Sequence, residues 1–128
     1  VLCRGIRGAT TAIRNTREAI IEATKELLLK MVKDNDIDLS DIAAIWFTST
    51  HDLNATFPAT AVHYMDWPQL PVMCSHEMDV NGSLPRCIRI LMLVNTEKND
   101  PEINHIFINE AEKLQHSHYG AQSDEATK

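Results

Sequence analysis

The chain contains no apolar stretch approaching the ~20 residues that a membrane-spanning helix needs, which excludes a helical anchor. Its opening residues are strand-like and lack the charged-then-apolar order of a secretory leader. It starts at Val1 without an initiator Met, so trimming of an upstream segment stays open. Cysteine is scarce: Cys3, Cys74 and Cys87 make an odd count with no close spacing. That argues against a disulfide framework and for reduced thiols in a cytoplasmic setting. Positive charge is also in short supply. A net charge of −6 argues against a nucleic-acid surface. What remains is an ordinary globular composition over 128 residues, enough for one domain with one core.

Against this background one residue stands out. Arg89 lies inside Cys87-Ile88-Arg89-Ile90-Leu91-Met92-Leu93-Val94, an otherwise apolar run that reads as a buried strand. An arginine is almost never fully buried without a partner, and the run holds no acid. Its partner comes from elsewhere in the fold or from an anionic ligand. An anionic substrate needs a locally basic pocket, for which Arg4, Arg7, Arg86 and Arg89 are the candidates.

Residues 1–115 read as a single domain and 116–128 as a polar, mobile tail with little to bury. His116 and His118 fall in that tail and are given no role. Leu2 to Ala9 forms a first strand, in which Gly5 and Gly8 mark a bulge or a close backbone approach. Alternation puts Arg7 on one face with Cys3, Gly5 and Ala9, and Arg4 on the other with Leu2 and Ile6. A long amphipathic helix follows over Thr16 to Lys33, with capping-box spacing between Asn15 and Glu18. Ile20, Ala23, Leu27, Leu28 and Met31 repeat at helical spacing and form its buried stripe. Asp34-Asn35-Asp36 ends the pattern, and Ser40-Asp41 forms a tight turn.

Strands are predicted at Ala43–Ser49, Leu70–Cys74, Cys87–Asn95 (the longest) and His105–Ile108. A short helix from Ala59 to about Met65 opens on Pro58. Asp79–Arg86 and Pro101–Asn104 are turn regions. The fold class is α+β: a mixed sheet with one face covered by the long helix. The other face, still apolar, needs cover that self-association would provide.

Arg7 and Arg89 sit on separate strands among small or apolar residues. Each could pair with an internal carboxylate or snorkel to the surface, but together they favour a carboxylate or phosphate site, because guanidinium is a planar fork of donors. Cys74-Ser75-His76-Glu77-Met78-Asp79 brings a thiol, an imidazole and carboxylates together in sequence. A Cys–His nucleophile pair there is conceivable, but adjacency in sequence says little about geometry. A metal site from His76, Glu77 and Asp79 with His51 or His63 lacks helical ligand spacing. Phe57 reads either as a helix staple or as a pocket wall.

Arg4-Gly5-Ile6-Arg7-Gly8-Ala9-Thr10-Thr11, Phe57-Pro58-Ala59, Cys74-x-x-Glu77-Met78-Asp79-Val80 and Cys87-Ile88-Arg89 occur in this order over residues 1 to about 115. Each is short. Together they resemble the monofunctional chorismate mutases of the trimeric α/β-barrel type, the AroH class. The resemblance implies a homotrimer with a pseudo α/β-barrel core and three sites between subunits. It implies the Claisen rearrangement of chorismate to prephenate, on the way to phenylalanine and tyrosine, with no cofactor, no metal and no covalent intermediate.

On this resemblance Arg89 donates to the ether oxygen and a substrate carboxylate. Arg7 binds the side-chain carboxylate. Glu77 accepts from the ring hydroxyl and orients Arg89, and Cys74 contacts the ring side. Phe57, Ala59, Val72 and Met73 shape a wall from the adjacent subunit, and Leu114 helps close the C-terminal segment over the site. Thr60 and His63 stand where the family usually has basic side chains, Phe107 where it commonly has tyrosine, and Gln115 where it has arginine. These departures imply weaker substrate binding, partly recovered by protonated His63.

Two other readings stay in play. Leu84-Pro85-Arg86-Cys87 faintly resembles a proline–arginine element of the trimeric Rid-type imine deaminases, although Arg89 falls where that family would have an apolar residue. A non-catalytic trimeric binder of an acidic metabolite is the other.

Overall fold

The computed structural model describes residues 1–115. The expectation of a polar tail over 116–128 lies outside the described residues. The elements are β1 (Leu2–Thr11), α1 (Arg17–Asp34), β2 (Ile42–Ser49), β3 (Val72–His76), β4 (Cys87–Thr96) and β5 (Ile106–Phe107). Short 3-10 helices cover Pro58–Tyr64 and Asn109–Leu114, among others. The five strands form one mixed sheet in the order β3-β2-β4-β1-β5. The central β4 runs antiparallel to β2 and β1, and each edge strand adds in parallel. Arg89 is therefore carried by the middle of the sheet.

The helix covers one face, as its periodicity predicts. Leu27, Leu28 and Met31 are buried against Ile6 of β1, Ile45 and Phe47 of β2, and Ile90, Met92 and Val94 of β4. Ile20 and Ala23 pack with Ile88. Gly8 is the point of closest approach: a Cβ there would meet Met31 Sδ at 2.5 Å and Leu27 Cδ1 at 3.2 Å. Each such leucine or methionine stabilises the domain by roughly 1.5–3 kcal/mol through burial alone.

Several boundaries differ from the sequence expectations. The N-cap is Thr16, whose side chain accepts from the Ala19 N–H, and not Asn15. Asn15 turns outward, where its Oδ1 accepts from the N–H groups of Asn54 and Ala55. β1 continues through Thr11 because its pairing with β4 runs on to Cys87, so β1 and β4 are equally long at 10 residues each. β3 is displaced to Val72–His76, set by its parallel register with Ile45–Ser49 rather than by any hydrophobic pattern of its own. β5 shrinks to two residues. At the helix end, buried Asn35 donates to the Met31 and Asn104 carbonyls and accepts from the Asn104 N–H. This polar knot fixes the segment leading to β5 without leaving a buried group unsatisfied.

The second face carries Gly5, Arg7 and Ala9 of β1, Ala44, Trp46 and Thr48 of β2, Met73 and Ser75 of β3, and Arg89, Leu91 and Leu93 of β4. The 3-10 helix Asn109–Leu114 covers one end of it, burying Leu114 and Ala111 against Ala9 and Cys87. Trp46 and Leu91 stay exposed, at 47% and 40%.

Candidate active site

Arg7 and Arg89 come together on this second face. In the ladder Arg89 faces Ala9 and Arg7 faces Leu91, so the two arginines are diagonal neighbours, which places their Cα atoms roughly 7–8 Å apart. With Trp46, Thr48, Leu91 and Phe107 they line a cleft of about 290 Å³. Burial, and then the charge of Arg89, lower the pKa of Arg7. Like charges held side by side in a partly desolvated cleft favour an anion between them.

Glu77 orients Arg89. Nε of Arg89 donates to Oε1 at 2.7 Å and Nη2 to Oε2 at 2.5 Å, a two-point fork. Both side chains are about a quarter exposed or less, at 26% and 21%. Thr48, directly opposite Arg89 in the sheet, donates its hydroxyl to Glu77 Oε1 at 2.6 Å. Burial pushes the Glu77 carboxyl up. The hydrogen bonds from Thr48 and Arg89, the Arg89 charge and the Met78 N–H outweigh that and hold it below the usual carboxylate range. The carboxylate is thus ionised at neutral pH, with the guanidinium fixed in one plane.

Arg7 is set from three directions. Its guanidinium lies 5.3 Å from the centroid of the Phe107 ring, a cation–π contact worth about 0.5–1 kcal/mol. Its backbone N–H donates to His105 Nδ1 at 2.9 Å. Gly5 and Ala9 beside it keep the face low. Phe107 has no hydroxyl to offer a ligand, but its ring positions Arg7.

The other candidate cations are engaged elsewhere. Arg4 pairs with Asp100 at 3.2 Å and donates to the Lys98 carbonyl. Arg86 adopts a positive φ of 48° and donates Nε to the Ala12 carbonyl. Neither is in the cleft with Arg7 and Arg89, so the four-arginine pocket reduces to two.

Cys74 is not beside this pair within the chain. It faces the helix side of β3, opposite Phe47, whereas Glu77 reaches Thr48 on the second face. Cys74 instead lines a second cleft of about 600 Å³ with Leu53, Thr56, Phe57, Pro58 and His76. Burial pushes its thiol up, against a lowering hydrogen bond from the Ala59 backbone. Burial likewise raises Cys87 to about 12. Both therefore stay protonated at neutral pH, contrary to what a cysteine nucleophile needs. Among the described residues no three His, Cys, Asp or Glu side chains group as metal ligands. His76 instead meets His51, ring centroids 4.4 Å apart.

Phe57 lines this second cleft, whereas Val72 and Met73 line a third, of about 220 Å³, with Trp46, Leu91 and Leu93. Phe57, Met73 and Val72 expose 70%, 56% and 41% of their surface in the isolated chain. Thr60 and His63 belong to the Pro58–Tyr64 helix, where Thr60 Oγ1 lies 3.2 Å from Thr56 Oγ1. Two contributors were not among the sequence candidates. Thr48 reads as an ordinary strand former, and only the β2–β4 register puts it opposite Arg89. Trp46, in the same strand, was two residues away on the same face.

The cleft of this α+β protein thus sets paired arginines beside an ionised carboxylate clamp in an apolar surround. The chain belongs to the chorismate mutase type I family, whose pattern it matches over residues 3–117. It is 42% identical to the chorismate mutase AroH of Bacillus subtilis (strain 168) over 109 residues, 84% of this chain and 86% of that protein. It is 44% identical to the chorismate mutase AroH of Thermus thermophilus over 114 residues, 88% of this chain and 93% of that one. Its fold matches the structure of a chorismate mutase from Clostridium thermocellum with a TM-score of 0.85 and 45% identity, covering 87% of this chain and 99% of that one. Among the described residues no helix is long and apolar enough to cross a membrane.

Proposed function

We propose that the chain converts chorismate to prephenate by a Claisen rearrangement in which Arg89 stabilises the breaking ether bond. Membership of the chorismate mutase type I family makes it an isomerase of that kind. The observation that carries the mechanistic reading is the Glu77–Arg89 fork beside Arg7 in one cleft.

The reaction is unimolecular, so a site has two physical tasks. It must hold the flexible enolpyruvyl arm over the ring, which removes entropy from the barrier. It must also meet the negative charge that grows on the ether oxygen as the C–O bond lengthens ahead of C–C bond formation. A fixed guanidinium donor does this without reorganising; by analogy with oxyanion donors it is worth ~3–4 kcal/mol. Arg89 takes that role and also meets a carboxylate. Arg7 binds the side-chain carboxylate. Glu77 accepts from the ring hydroxyl with the lone pairs its fork leaves over. Cys74 contacts the ring side as a neutral thiol, and Leu114 backs the segment that closes the cleft. No cofactor or metal takes part.

The assembly is a homotrimer with a pseudo-barrel core and sites between subunits. Two features support this. The exposed apolar residues Trp46 and Leu91 border the arginine cleft. Cys74 and Phe57 line a different cleft from Arg7 and Arg89, so a second copy is needed to bring the halves together. Phe57, Ala59, Thr60, His63, Val72 and Met73 would then form the wall across from the arginines. Purified protein tests the proposal by steady-state loss of chorismate. Prephenate should form far faster than in buffer, and a rate no faster than the uncatalysed background would overturn it.

A further inference from the structure

The wall proposed to face the arginines has a deficit of charge. Phe57, Ala59, Thr60, Val72 and Met73 carry none. The chain is acidic overall, at −6. A dianion approaching this half of the site meets no fixed cation among those residues.

Arg17 stands beside the gap. It is the first residue of α1, and its Nη2 donates to the Tyr64 hydroxyl at 2.6 Å, its Nη1 to Thr56 Oγ1 at 3.4 Å. The guanidinium also lies 5.8 Å from the Tyr64 ring centroid. Thr56 lines the second cleft and contacts Thr60. All these anchors are neutral, and among the described residues Arg17 forms no salt bridge. They orient the guanidinium without compensating its charge, and most of its five N–H donors remain for a ligand. Helix stability does not account for the residue, since a cation in the first turn opposes the macrodipole.

We propose that Arg17 is a substrate-capture residue: held by Thr56 and Tyr64, it draws a carboxylate of the dianion toward the cleft walled by Phe57. This rests on the chorismate reading above. Its competitor is a staple role, in which Arg17 merely ties α1 to the Pro58–Tyr64 helix.

Chorismate kinetics on the full chain separate the two. Arg17→Gln should raise KM about fivefold to tenfold, a loss typical of one exposed charge-assisted contact, with kcat within about twofold. It should also flatten the fall of kcat/KM with added salt, while Arg17→Lys restores most of the KM. An unchanged KM and salt slope in Arg17→Gln, with the unmodified chain active, overturns the capture role alone. So does a lower melting temperature with kcat and KM both damaged and Lys no better than Gln, the mark of a staple. If the unmodified chain leaves chorismate at its background rate, the proposed function fails and the capture role with it.

Discussion

Thr48 and Arg89 face each other across β2 and β4, and both hold the same carboxylate oxygen, Glu77 Oε1, at 2.6 Å and 2.7 Å. The strand register therefore sets the fork geometry. A carboxylate delivered by the turn after β3 meets a guanidinium on the central strand because a hydroxyl between them fixes its angle.

Thr48→Val keeps the shape and removes the hydroxyl. Glu77 then loses a hydrogen bond that lowers its pKa, so the acid limb of the rate profile should move to higher pH. Turnover should fall about tenfold, for a loss of about 1–1.5 kcal/mol in one hydrogen bond. A pH–rate profile of kcat measures both. An unmoved acid limb would remove Thr48 from the account.

Cys74→Ser should leave kcat within about one order of magnitude of the unmodified enzyme, far short of the losses seen when a true nucleophile is removed. The raised pKa of the thiol predicts correspondingly slow alkylation at neutral pH. Turnover of the serine variant and the rate of iodoacetamide labelling check this. Complete loss of activity would point to covalent chemistry.

His105 accepts the Arg7 N–H through Nδ1, which requires a neutral ring. Burial and then the Arg7 charge lower its pKa from the ordinary 6.5, with Asp100 pulling the other way. A folded pKa below the unfolded one gives stability that is complete above about 6.5 and is lost as pH falls through the folded value. Glu77 contributes in a separate, lower window, below its ordinary 4.5. Melting temperature against pH should therefore show a first decline starting near pH 6.5. His105→Gln, which can accept but does not titrate, should lack that decline.

Leu93 lies on the second face, between Gly5 and Ala44 in register, four residues along β4 from Arg89 and diagonal to Arg7 across the β1–β4 ladder. Leu93→Glu puts a charge on the surface proposed to meet other copies. Sedimentation should show one chain mass in place of three, and activity should fall by about two orders of magnitude or more, because the site loses its second half. An active monomer would contradict the shared site.

Legibility followed periodicity. The α1 stripe and the alternation of β1 and β4 were readable because each buries one face, and that pattern put Arg7 on its correct face. β3 was misplaced by two residues because it is a short edge strand with no fully buried residue and hence no hydrophobic pattern. Asn15 and Thr16 are both good caps, and local sequence does not say which one the Asn54–Ala55 loop will recruit. In the site, the need of Arg89 for a partner was legible and Glu77 answers it. The separation of Cys74 from Glu77 was not, since a sequence neighbourhood hides which side of the sheet each residue takes. Thr48 and Arg17 escaped because a strand threonine and a helix-surface arginine have ordinary structural reasons to be there.

The central claim is that the fork of Arg89, and not its charge alone, lowers the barrier. Steady-state kinetics of Arg89→Lys with chorismate tests it most directly. The account predicts an intact oligomer and a kcat lower by about 10²–10³, as for loss of one preorganised transition-state donor. A folded variant with kcat within a few-fold of the unmodified enzyme would contradict it.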